Sequence, residues 1–195
     1  NQTGLLLTHY MLSSLKEEGN LPENGVVIKT IVTTEGVREI ANDFNIELMD
    51  VLTGFKYIGE KIQEFTVAGD KEYLFGFEES YGYLAGDFVR DKDAVVAAML
   101  IAEMTLYYKE KGMSLYEALL GIYEKYGFFK EGLVSIELKG KEGQEKISEC
   151  IDALRDTTIA EVDGVKVNTK IDYKLSIEEN LVKNEKNTID LPKSN

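Results

Sequence analysis

Glu78-Glu79-Ser80 follows directly on a short apolar run, Tyr73 to Phe77, and is followed in turn by Tyr81-Gly82-Tyr83 and Gly86. A carboxylate accepts hydrogen bonds from two neighbouring hydroxyls, and a serine beside it donates or accepts. Two vicinal sugar hydroxyls need that kind of partner. Gly82 and Gly86 allow a close backbone approach, and Tyr81 and Tyr83 can wall a pocket. Ligands in α/β sheets bind beyond the carboxyl ends of strands, where this segment falls. The plainer alternative is a polar loop leading to a helix capped by Asp91 or Asp93. The residue types alone leave both readings open.

Thr53-Gly54-Phe55-Lys56 precedes a helix start. Backbone N–H groups and a lysine there suit an anion such as phosphate; a cap with a solvated lysine is the alternative. Arg90 and Lys92 add positive charge near the Glu78 loop, with local pairing to Asp87, Asp91 or Asp93 as the other use. His9, the one histidine, has no nucleophile context and reads as a structural or surface residue. The one cysteine, Cys150, excludes an internal disulfide and a cysteine-built metal site. It shares a helical face with Ile147, Ile151 and Leu154, which predicts a buried core thiol. Such cysteine usage fits a reducing cytoplasm. No cluster of His, Cys or Asp has metal-ligand spacing.

The elements that must carry these groups read from periodicity and punctuation. Helices are predicted over 3–18, 34–44 (capped by Thr34), 55–64 and 91–111. Another runs over 114–126, where Ser114 and Glu117 form a capping box. Strands are predicted over 26–33, 46–49 and 73–77. This alternation means a layered α/β domain. Beyond it, 134–138 reads as a strand with clean alternation, 141–155 as a helix, and 159–167 as a hairpin turning at Asp163-Gly164. The tail, 176–195, has few apolar residues, among them Leu181, Ile189 and Leu191. It reads either as disordered or as strands whose partners are absent. Net charge is -13 at pH 7, which argues against a nucleic-acid partner. There is no apolar run long enough for a membrane span and no secretory leader. The opening, Asn1-Gln2-Thr3-Gly4, reads as a chain entered mid-protein.

Together these segments resemble domain three of the α-D-phosphohexomutase superfamily, the phosphoglucomutases and phosphomannomutases. "TGFKYIGE", from Thr53, is similar to the family's Thr-Gly-Trp-Lys segment. "GFEESYGYLAGDFVRDKDAV" resembles its Gly-Glu-Glu-Ser sugar loop and the following Arg-(Asp/Glu)-Lys-Asp. "KTIVTTEGVREIA", from Lys29, resembles the domain's strand-to-helix segment, and "NQTG" the passage into the domain. The resemblance covers roughly 1–155. The loop is closer to phosphoglucomutase than to the Gly-Glu-Met-Ser-Gly-His form of bacterial phosphomannomutases. Phe77 stands where many members have glycine, and Tyr83 where some have histidine.

The resemblance implies a three-layer α/β/α domain with a mixed sheet over 1–126, followed by an incomplete α+β domain over 127–195, the start of domain four. It implies a parent isomerase that interconverts hexose 1-phosphate and hexose 6-phosphate. A domain-one phosphoserine and a bisphosphorylated sugar, glucose 1,6-bisphosphate, carry the phosphoryl group, and domain two holds magnesium. Here Glu78 and Ser80 are implied to grip the sugar's 3- and 4-hydroxyls, with Thr53, Gly54, Lys92 and Tyr83 as further substrate contacts. The nucleophile, metal and domain-four phosphate loops are absent from the chain, so it is expected to be inactive alone. The implied partners are a hexose phosphate and the remaining domains of the parent. The competing class is a stand-alone sugar-phosphate-binding or interaction module.

Overall fold

The structure, a computed structural model, describes residues 1–132 and 134–189. The chain forms two compact units, Asn1–Glu131 and Gly132–Asn195.

The first unit is built on four strands: β1 (Gly25–Thr30), β2 (Glu47–Val51), β3 (Glu72–Phe77) and β4 (Tyr83–Ala85). Their order is β2-β1-β3-β4. β1 runs parallel to β2 and β3, while β4 is antiparallel to β3, so the sheet is mixed. β1 is buried along its whole length, as a central strand covered on both faces must be. Its Val27 packs into one core with Phe75, Phe77 and Tyr83; Val26 and Ile28 pack into the other with Tyr73 and Leu84. The β1–β3 register steps from Val26–Tyr73 to Val27–Phe75, leaving Leu74 as a bulge.

Helices α1 (Gln2–Glu17), α2 (Gly36–Asp43), α4 (Ala94–Glu110) and α5 (Leu115–Tyr126) supply the first core, through residues such as Leu7, Ile40, Met104 and Ile122. Helix α3 (Phe55–Ala68) supplies the second, through Phe55, Ile58 and Ile62. This is the expected α/β/α sandwich. Asp93 caps α4, accepting from the N–H groups of Val95 at 2.8 Å and Val96 at 3.1 Å. Ser114 and Glu117 close the predicted capping box. Helix α3 runs a turn beyond its predicted end, to Gly69 in the left-handed conformation. β4 has no counterpart among the predicted elements, because three residues carry too little periodicity to stand out.

Two internal features anchor this unit. His9 Nδ1 lies 2.8 Å from the Tyr108 hydroxyl, with the rings of Phe44 and Tyr126 edge-on beside it. Burial, reinforced by nearby Lys125, pulls the imidazole down to about 4. The lone histidine is therefore a structural residue. The second feature is Lys29, whose side chain is fully buried. Its ammonium is 2.7 Å from Glu35 Oε1 and 2.7 Å from Asp50 Oδ1. Arg38 closes the ring, 2.8 Å from Glu35 Oε2 and 2.5 Å from Asp50 Oδ2. Asp50 Oδ1 is buried and faces the ammonium as an ion pair rather than an aligned hydrogen bond.

The second unit contains α6 (Gly140–Asp156), a two-stranded hairpin of β5 (Glu161–Val162) and β6 (Val165–Lys166), and a three-stranded antiparallel sheet. That sheet comprises β7 (Thr169–Asp172), β8 (Ile177–Asn180) and β9 (Glu185–Thr188). Asp163 and Gly164 both take positive φ, as a type I′ turn requires. Residues 134–138 form no strand: among the described residues no backbone ladder reaches them, and alternation without a pairing partner does not make a strand. The tail does form strands, because β7 supplies the edge that β8 needs; Leu191 lies outside the described residues. Cys150 is exposed rather than buried. Its neighbours Ile147, Ile151 and Leu154 are also exposed, so the apolar stripe is present but not covered as expected.

Two outcomes follow from the buried charges. The folded His9 pKa lies below the ordinary 6.5, so the unfolded chain binds more protons between the two values. Stability is fully present above 6.5 and falls as pH drops towards about 4, by at most roughly 1.4 kcal/mol per pH unit. Urea unfolding of native chain and His9→Gln across this range should show the extra slope in the native chain only. Lys29→Met should cost roughly 3 kcal/mol, the low end for breaking a buried pair, since both carboxylates keep some water. An unchanged denaturation midpoint would contradict that.

Candidate functional site

The parallel strands β1, β2 and β3 end on one edge of the sheet, so the segments 31–35, 52–54 and 78–82 gather there. The 78–82 segment is the tip of a hairpin. Phe77 pairs with Tyr83, and the Glu78 N–H donates to the Gly82 carbonyl at 2.9 Å, extending the ladder by one step. Ser80 and Tyr81 stand exposed at the tip, with Tyr81 at a φ of 67°.

Glu78 lies at the root of this tip and is 8% exposed. A carboxylate so nearly buried ordinarily carries its own set of donors. Among the described residues, the charge facing this one is Lys92, its ammonium 4.0 Å from Glu78 Oε1. Gly82 makes room for it: a Cβ there would fall 2.6 Å from Glu78 Oε1. The adjacent Glu79 does different work. Its Oε2 accepts from Thr30 Oγ1 at 2.9 Å, tying the tip to the end of β1.

Lys92 joins the hairpin to the second candidate segment. Its ammonium sits 5.6 Å from the centre of the Phe55 ring, at the first turn of α3. Gly54 occupies the cap position there with a φ of 114° and has no side chain to bond the first N–H groups. Lys92 reaches this place because the 86–93 segment runs back from β4 to the edge, where the Asp93 N–H donates to the Tyr83 carbonyl at 2.9 Å. Arg90 secures that return. It donates to Gln63 Oε1 at 3.3 Å, to Thr66 Oγ1 at 3.1 Å, and to the Asp87 carbonyl. Its partners are α3 side chains and backbone, not the Asp carboxylates considered from sequence.

Of the six sequence candidates, Glu78, Ser80, Thr53, Gly54 and Lys92 therefore lie along one edge of the sheet. Tyr83 does not join them. Its ring is buried, stacked with Phe75 and Phe77 in the core, and burial pushes its phenol up. The alternation of a strand explains this: Tyr83 is the first residue of β4 and its side chain is committed to one face. Sequence reasoning missed Thr30 and Thr33 as supports of the site, and it read Arg90 as charge near the loop where the structure has it clamp the return onto α3. A signal existed for the first two, since a lysine inside a β-branched strand needs polar partners where the strand ends.

The fold is an α/β/α domain whose parallel strands all end along the edge that carries these residues. Residues 1–126 match the family described as phosphoglucomutase/phosphomannomutase, alpha/beta/alpha domain III. The chain belongs to that family. It is 36% identical over 195 residues to a phosphoglucomutase of Staphylococcus haemolyticus (strain JCSC1435), covering 100% of this chain and 34% of that protein. A phosphoglucomutase of Staphylococcus saprophyticus is 33% identical, covering 100% of this chain and 35% of its own length. The chain thus spans about a third of the length of the curated relatives it matches. A putative phosphomannomutase from Thermus thermophilus superposes with a TM-score of 0.49 at 20% identity, over 64% of this chain and 25% of that one.

Gly82→Ala tests the packing of Glu78. The added methyl should displace the carboxylate, so that the amide resonances of 78–82 shift while those of α5 stay in place. Unmoved loop resonances would mean that Glu78 does not lie against Gly82.

Proposed function

We propose that this chain is the sugar-recognition segment of a phosphoglucomutase-type isomerase. The parent would interconvert hexose 1-phosphate and hexose 6-phosphate through a phosphoserine and a bisphosphorylated sugar, in the cytoplasm. Gly132–Asn195 would begin the enzyme's next domain. Glu78 would accept from two neighbouring sugar hydroxyls and Ser80 would complete the pair. Lys92 and the uncapped start of α3 at Thr53-Gly54 would lie on the phosphate side. Adjacent ring hydroxyls can exchange places when a sugar turns over, so one such pair would serve both half-reactions.

One observation carries this reading. Glu78 is 8% exposed at the root of the hairpin tip, and the charge facing it is a lysine at 4.0 Å, beyond hydrogen-bond reach. The Glu78 oxygens are not among the buried atoms left without a partner, so water reaches them and a ligand's hydroxyls can take that water's place. The match to domain III and the phosphoglucomutase relatives support the substrate class.

The parent reaction implies magnesium, and the residues here do not fit it. Among the described residues no group of three or more His, Cys, Asp or Glu could hold a metal ion. Glu79 is tied to a threonine, and Asp91 and Glu78 face Lys92. No helix among the described residues is long and apolar enough to cross a membrane.

Glucose 1-phosphate titrated into the labelled chain should shift the amides of 78–82, and Glu78→Ala should abolish those shifts. Equal shifts in both proteins would remove Glu78 from the site. The chain alone should show no phosphoglucomutase turnover, because it contributes contacts but neither nucleophile nor metal. Measurable product from this polypeptide would refute that.

A further inference from the structure

We propose that Glu79, through Thr30 and Thr33, is the positioning residue that fixes Glu78 and Ser80 for the hexose; this rests on the sugar-binding reading above. Glu79 is the residue between the two groups assigned to the sugar. It is also the residue of the tip that is fastened to the sheet. Its Oε2 lies 2.9 Å from Thr30 Oγ1 and 3.3 Å from Thr33 Oγ1, and the two hydroxyls are 2.6 Å apart.

Two hydroxyl protons cannot fill three contacts. Either hydroxyl can donate across the 2.6 Å gap between them, and the other then donates to Glu79, the shorter approach to the carboxylate being that of Thr30. In either arrangement one contact closes the triangle without a proton of its own. Glu79 is thus the final acceptor of a two-hydroxyl chain, and an ionised acceptor makes the last bond a strong one.

The other end of the chain is fixed too. The carbonyls of Thr30 and Thr33 lie 3.4 Å and 3.3 Å from Lys29 Nζ, inside the ring of buried charge. The backbone bond from Glu78 to Gly82 closes the base of the tip, but Ser80 and Tyr81 stand exposed beyond it. Ordering a loose tip at the moment of binding would cost affinity. A carboxylate pinned at the middle residue removes much of that cost while leaving Glu78 and Ser80 on either side free to face the ligand. The second acid of the Glu78-Glu79 pair is accordingly an anchor and not a second sugar acceptor.

The test compares native chain, Glu79→Gln, Thr30→Val and Thr30→Ser by amide hydrogen exchange without ligand and by glucose 1-phosphate titration. In Glu79→Gln and Thr30→Val, exchange at 80–82 should rise roughly tenfold and affinity should fall by a similar factor, as for loss of a hydrogen bond to a charged group. Thr30→Ser keeps the hydroxyl and should restore both. Exchange in β1 and β3 and the melting temperature should stay near native, which a general structural role would not allow. Native-like exchange at 80–82 in both variants would overturn the anchor. Faster exchange with native affinity would overturn its role towards the sugar, leaving the sugar reading intact. A native chain showing no shifts with glucose 1-phosphate would overturn the sugar reading and this role together.

Discussion

The ammonium of Lys29 is the constraint on which the strand-end edge depends. A fully buried lysine in a central strand must be neutralised where it lies, and β1 offers only its carboxyl end for that purpose. Glu35 from the start of α2 and Asp50 from β2 supply the charges, and Arg38 bridges them on the outside. The turn after β1 is folded around this ammonium, its carbonyls at Thr30 and Thr33 within reach of the nitrogen. The same turn presents the two hydroxyls that receive Glu79. Charge neutralisation inside the sheet and placement of the hairpin tip outside it are thus successive consequences of one buried cation.

The site is assembled by two opposed returns of the chain. The tip of β3–β4 brings Glu78 and Ser80 to the edge. The 86–93 segment, clamped on α3 by Arg90, climbs back along the sheet and delivers Lys92 beside Glu78 and the Phe55 ring. A cation placed at 4.0 Å draws the carboxylate into position without occupying it by a hydrogen bond. That balance leaves the carboxylate able to accept hydrogen bonds from hydroxyls, as the proposed sugar contact requires. It also accounts for the sequence crowding of acids, glycines and basic residues in one stretch: each has a separate mechanical task.

Local chemistry was legible where a single residue's own bonds decide the outcome. Asp93 and Ser114 cap their helices, Asp163-Gly164 turns its hairpin, and the strand-helix alternation of the first unit stands as read. What escaped depended on partners distant in sequence. Residues 134–138 alternate like a strand and find no ladder among the described residues, whereas the polar tail pairs because β7 lies beside it. Cys150 belongs to an apolar helical stripe, but periodicity says which residues share a face and not what covers it.

The sequence by itself determined most elements of the first unit and the layered class, because propensity, periodicity and short spacing act within a few positions of the chain. The tertiary structure decided which of the candidate residues reach the edge beyond the strands. Tyr83 went to the core because its strand face packs on Phe75 and Phe77. Two adjacent, chemically identical acids parted because a turn 46 to 49 residues upstream offered hydroxyls to Glu79, while a lysine on a separate segment drew Glu78. Identical side chains acquire different roles only through neighbours in space, and those the fold alone supplies.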